Sequence, residues 1–93
     1  MPLRSVHLRI TGQVQGVGYR AWTLEQANIL RLRGWVRNRV DGTVEALVIG
    51  DEDVVAAMIE ACRKGPRLAR VDNIAVDKAA DDGSEGFTAK PTT

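Results

Sequence analysis

Apolar and polar residues alternate along Val6-His7-Leu8-Arg9-Ile10-Thr11, the period-two signature of a strand whose Val6, Leu8 and Ile10 face a core. The pattern breaks at Gly12. Tyr19, Thr23, Ala27 and Leu30 then recur at helical spacing, which predicts a helix from about Arg20. From Trp35 to Ile49 the chain reads as a hairpin around Asp41-Gly42, with Val36, Asn38 and Val40 on one face and Trp35, Arg37 and Arg39 on the other. The turn can hold two residues or four, so the cross-strand partner of Asn38 stays open. Gly50-Asp51 begins a second helix, with Asp51 in place to cap it and Val55, Met58, Ile59 and Cys62 at i, i+3, i+4 and i+7. Gly65-Pro66 stops it. Val71, Ile74 and Val76 predict a fourth strand with a bulge at Asn73, and Phe87 marks a short last strand after Asp81-Asp82-Gly83-Ser84.

The order β-α-β-β-α-β is that of an α+β, ferredoxin-like α/β sandwich: an antiparallel sheet covered on one face by two helices, with a short extra strand allowed for. Many functions share this architecture, so the fold does not name an activity. A chain of 93 residues is expected to form one domain spanning 1–93. At this size about two-thirds of the unfolded surface is buried, enough to fold without metal or disulfide staples. Thirteen basic and twelve acidic residues leave a net charge of +1, which argues against a nucleic-acid partner bound through counterion release. The single cysteine, Cys62, reads as a buried helix thiol rather than a nucleophile. No apolar stretch is long enough for a membrane span or a secretory leader, so a cytoplasmic protein without membrane contact is expected.

Candidate chemistry lies where the first strand gives way to the first helix, in Gly12-Gln13-Val14-Gln15-Gly16-Val17-Gly18-Tyr19-Arg20. Gly16 and Gly18 can take positive φ, which lets successive N–H groups point into one concavity. The helix start adds free N–H groups and a positive dipole end, and Arg20 adds a planar fork of donors matched to phosphate oxygens. A cation at that end is disfavoured unless an anion lies beside it. Asn38 shares a strand face with two valines and needs partners there; a local backbone contact near the turn is the ordinary explanation.

The wording and spacing of V-Q-G-V-G-Y-R, W-T, G-W-V-R-N and D-G-x-V-E, from about Val6 to Val76, resemble the acylphosphatase family. The resemblance implies hydrolysis of small acyl phosphates to carboxylate and inorganic phosphate. It implies a substrate-binding loop of Gln15, Gly16, Val17, Gly18, Tyr19 and Arg20, with Arg20 and Asn38 as the catalytic pair, Arg20 gripping the phosphate and Asn38 positioning the attacking water. No metal or cofactor is expected, and a monomer is. Relatives of this domain also occur within larger carbamoyl-transfer proteins; the end of this chain soon after the last strand favours a free-standing enzyme. Two departures stand out: Arg31 follows Leu30 where family members usually have glycine, and Phe87-Thr88-Ala89-Lys90 is a weak last strand.

An acyl phosphate is a mixed anhydride with a weakly basic carboxylate leaving group, so its hydrolysis needs no strong general acid. That suits a chain whose one histidine, His7, reads as a solvated strand residue. Arg37 and Arg39 read as solvated residues that discourage edge pairing. Trp35 is a candidate base-stacking platform, because RNA-binding modules share the strand order, yet no second aromatic stands on the first strand. Asp51, Glu52 and Asp53 read as helix-start partners rather than a metal cluster. A non-catalytic phosphate- or RNA-binding module of the same fold is therefore the alternative.

Overall fold

The computed structural model describes residues 2–93. Its elements are β1 (Leu3–Gln13), α1 (Tyr19–Ile29), β2 (Arg33–Asn38), β3 (Val44–Asp51), α2 (Glu52–Lys64), β4 (Arg70–Lys78) and β5 (Phe87–Ala89). They build one sheet in the order β4-β1-β3-β2-β5. Strands β1, β2, β3 and β4 pair antiparallel, as the alternation predicts. The sheet as a whole is mixed, because β5 pairs parallel with β2 through Gly34↔Phe87 to Val36↔Ala89. This corrects the all-antiparallel expectation. Strands β4 and β5 lie on opposite sheet edges, so the segment joining them crosses the sheet and approaches β2 from the same end as β2 itself begins.

The core forms where the alternating face meets the helices. Val6, Leu8 and Ile10 of β1 stand beside Val48, Ala46 and Val44 of β3, and all six are buried. Helix α2 docks its Val55, Met58, Ile59 and Cys62 stripe there, as the spacing predicts. Helix α1 buries Tyr19, Thr23 and Ala27, while Leu30 is its half-buried C-cap. The Thr23 hydroxyl is satisfied by the Tyr19 carbonyl one turn back, 2.9 Å away. Strand β3 departs from one-sided burial, since Val44 through Ile49 are all buried. Its central position explains this: Leu47 lies between His7 and Trp35, whose long side chains cover the face without helices.

Several local expectations resolve. The hairpin loop is Val40-Asp41-Gly42, closed by Arg39 N–H to the Thr43 carbonyl and by Gly42 N–H to the Arg39 carbonyl, which pairs Asn38 with Val44. The bulge falls at Asp72, one residue before the predicted Asn73, as the register steps from Thr11↔Asn73 to Gly12↔Val71. Asp51 occupies the N-cap of α2 but makes no side-chain cap bond; Glu52 and Asp53 supply negative charge to that first turn. Arg31 adopts φ 56°, the left-handed conformation that its place after α1 demands. No helix among the described residues is long and apolar enough to cross a membrane.

Candidate active site

Strand β1 ends at Gln13 and α1 begins at Tyr19, so residues 14–18 must turn the chain from sheet to helix. Gly16 and Gly18 make the turn at φ 74° and 79°. A Cβ at either would meet nothing within 4 Å, so backbone conformation, not crowding, requires glycine there. Val14, 1% exposed, anchors the loop's start in the core. Among the described residues, the N–H groups of Gln15, Gly16, Val17 and Gly18 donate to no protein oxygen. Gly18 is the N-cap of α1 with no side-chain cap bond, and the first turn holds no acidic residue. This helix start is thus electropositive, in contrast to that of α2.

Tyr19 sits under the loop rather than in it. Its ring is 1% exposed and packs against Gly65, where an added Cβ would approach ring carbon Cε2 to 2.7 Å. Its hydroxyl donates to the Cys62 carbonyl at 2.6 Å, fixing the first turn of α1 on the end of α2. Burial raises the phenol's pKa well above its ordinary value and pushes the neighbouring Cys62 thiol up to about 11, so neither ionises near neutrality. Cys62 is buried, in line with the sequence reading.

Arg20, on the first turn of α1, is half-buried, and its Nη1 donates to the Lys90 carbonyl at 3.3 Å. The segment after β5 continues along β2: Lys90 N–H donates to the Val36 carbonyl and Thr93 N–H to the Asn38 carbonyl. Asn38 ends β2 on the helix-covered face, and its Oδ1 is buried with no hydrogen-bond partner. The ordinary explanation for such an amide, a local backbone contact, therefore does not account for that oxygen. Arg20 and Asn38 line one cavity of about 320 Å³ with Val14, Gly16, Gly18, Tyr19 and Ala21. That is near the small end of small-molecule sites, which run from about 300 to 1,000 Å³.

Of the residues singled out in the sequence, Gly16, Gly18, Tyr19, Arg20 and Asn38 meet at this cavity, whereas Gln15 and Val17 are not among its lining residues. The Gln15 side chain turns instead to the hairpin, where Nε2 donates to the carbonyls of Arg39 at 2.7 Å and Thr43 at 2.8 Å. Val14 and Ala21 line the cavity too, although neither was assigned to the site from sequence: both are apolar, and only their adjacency to the loop and to Arg20 marks them.

On the opposite sheet face the solvated reading of Arg37, Arg39 and His7 is overturned. Glu45, 7% exposed, accepts from Arg37 Nε at 2.6 Å, from Arg39 Nη1 at 3.2 Å and from His7 Nε2 at 2.5 Å. Burial by itself would raise the Glu45 pKa, but the hydrogen bonds and charges of His7 and Arg37 prevail and hold it below the usual carboxylate range. The edge-strand argument fails as well, since β5 covers β2. The Arg37 guanidinium carbon and Lys90 Nζ lie 4.8 Å and 4.7 Å from the Trp35 ring centroid, so two cations occupy the ring proposed as a stacking platform.

The family model described as acylphosphatase matches residues 6–89. The acylphosphatase of Rhodospirillum rubrum is 53% identical over 90 residues, a match covering 97% of this chain and 99% of that protein. The acylphosphatase of Rhizorhabdus wittichii is 52% identical over 89 residues, covering 96% and 88%. Among solved structures, the acylphosphatase from Bacillus subtilis superposes with a TM-score of 0.90 at 33% identity, covering 96% of this chain and 99% of that one. A domain-length match of loop, strand and sheet order thus accompanies the geometry of the cavity, and the chain belongs to the acylphosphatase family.

Proposed function

We propose that this protein hydrolyses small acyl phosphates to a carboxylate and inorganic phosphate, with the phosphate held in the loop of Gln15 to Arg20 and water aimed by Asn38. The carrying observation is the buried, partnerless Asn38 oxygen in the same cavity as Arg20 and the free N–H groups of the loop. A buried acceptor with no protein partner calls for a donor from outside the chain, an ordered water being the simplest. A water can donate to that oxygen while the loop amides and the guanidinium hold the phosphate.

Phosphoryl transfer spreads charge over equatorial oxygens in a loose transition state, so placing donors around them stabilises it without covalent help. The loop N–H groups, the uncapped start of α1 and Arg20 supply those donors. Asn38 supplies orientation, holding the nucleophile in line with the leaving carboxylate oxygen. The acidity the leaving group needs is small, and a phosphate oxygen of the substrate itself receives the water's proton. Neutral thiol and phenol groups below the loop take no part. In this reading a single chain suffices for the reaction, since every group named lies within it, and a monomer is the proposed working form.

The test is hydrolysis of benzoyl phosphate by the purified protein. Turnover inhibited competitively by inorganic phosphate and unaffected by a chelator is expected. Absence of turnover above background, with phosphate still bound, would leave only the phosphate-binding module.

A further inference from the structure

We infer that Gln15 is a positioning residue: its carboxamide is a strut that sets the distance between the phosphate loop and the Asn38 end of the hairpin. This rests on the acyl phosphate reading above and assigns to the Gln15 side chain a task other than contact with substrate.

The loop and the hairpin are remote in sequence, Gln15 lying 24 residues before Arg39 and 28 before Thr43. Both N–H bonds of one amide nitrogen span the neck of the turn. Their acceptors are already engaged, the Thr43 carbonyl by Arg39 N–H at 2.8 Å and the Arg39 carbonyl by Gly42 N–H at 3.1 Å, so Gln15 uses the second lone pair of each. These two residues form the rung directly beyond Asn38↔Val44. The strut therefore grips the backbone one residue from the candidate water-positioning amide.

That position matters because the Asn38 oxygen has no protein partner of its own. With nothing tethering that end of the side chain, its placement depends on the backbone beneath it. From one side Thr93 N–H holds the Asn38 carbonyl, and from the loop Gln15 holds the next carbonyl. An in-line attack tolerates little error, and a misplacement of about 1 Å can reduce turnover about 100-fold. Gln15 is half-buried and absent from the cavity lining, which suits a strut and not a substrate ligand.

The experiment is a double-mutant cycle with Gln15→Met, Asn38→Ala and the pair, reading kcat on benzoyl phosphate and the inhibition constant of inorganic phosphate. Gln15→Met keeps the length and apolar stem while removing both donors. It should lower kcat about tenfold and change phosphate inhibition less than about threefold. In the Asn38→Ala background it should change kcat less than about twofold, because the group it positions is gone. A full tenfold loss in that background, or a loss of phosphate binding parallel to kcat, would overturn the strut. An Asn38→Ala enzyme as fast as the wild type would instead overturn the assigned role of Asn38 and take the strut with it. Gln15→Glu guards against misfolding of the methionine variant. Its neutral acid form donates one of the two bonds, so its kcat relative to wild type should rise as pH falls towards about 5, near carboxylate titration; a flat ratio counts against the inference.

Discussion

Replacing Asn38 with alanine should make the protein more stable and nearly inactive. The Asn38 oxygen is buried without a partner, and leaving such an acceptor unsatisfied costs about 1–3 kcal/mol in the folded state. Truncation to the Cβ removes that cost, and the water that donates to the oxygen offsets only part of it. It opens little new void, because the side chain already borders a cavity, and it sacrifices little apolar contact. A net gain of about 1 kcal/mol follows, which for a domain of this size raises Tm by about 4–8 °C. Turnover should move the other way, falling about 100-fold or more as the water loses its guide, while the phosphate inhibition constant stays within about threefold. Thermal unfolding, urea midpoints and steady-state kinetics on one preparation read all three. A Tm lowered by several degrees would mean the oxygen is well satisfied in solution, and the argument from desolvation would be wrong. Unchanged kcat would remove Asn38 from the mechanism.

Three further outcomes are expected. Arg20→Gln should weaken competitive inhibition by phosphate about 10- to 100-fold, the worth of a charged hydrogen-bonding pair of about 1.5–3 kcal/mol; undiminished inhibition would place the anion elsewhere. Arg31→Gly should stabilise by about 1 kcal/mol, since Arg31 holds φ 56° where a side chain is strained, and an unchanged or lower Tm would contradict that strain. Glu45, whose pKa is lowered on folding, adds stability that is complete above its unfolded value near 4.3 and fades as pH falls through the folded value. Urea midpoints from pH 7 to pH 3 should therefore decline less in Glu45→Gln than in wild type, and parallel declines would discount the ionic cluster.

Much of this molecule can be read from its residues. The two period-two strands, the α2 stripe and the pair of loop glycines all express local rules, which is why the element order and the loop's conformation follow from sequence. Asn38 and Arg20 are marked by motif wording, and they share a cavity because the end of β2 and the start of α1 both border the loop. What escaped depends on register. Glu45 meets Arg37 only because the turn holds three residues, a length the Asp-Gly signal leaves undecided. The partners of Gln15 are carbonyls, which carry no sequence signature. The parallel docking of β5 on β2 is set by how the preceding segment crosses the sheet, where Arg33 binds Asp81 and the Ser84 carbonyl. A three-residue strand with one buried side chain announces none of that.

The docking of β5 also ties the sheet's margin to the candidate site. Until residues 87–93 settle beside β2, that strand is a bare margin, Arg20 lacks its carbonyl rest at Lys90, and Asn38 lacks the amide of Thr93. Without that cover β2 would present unpaired N–H and C=O groups, a margin open to pairing with a neighbour's. One short seam thus serves two ends: it shores up Arg20 and Asn38, and it shields the sheet from self-association.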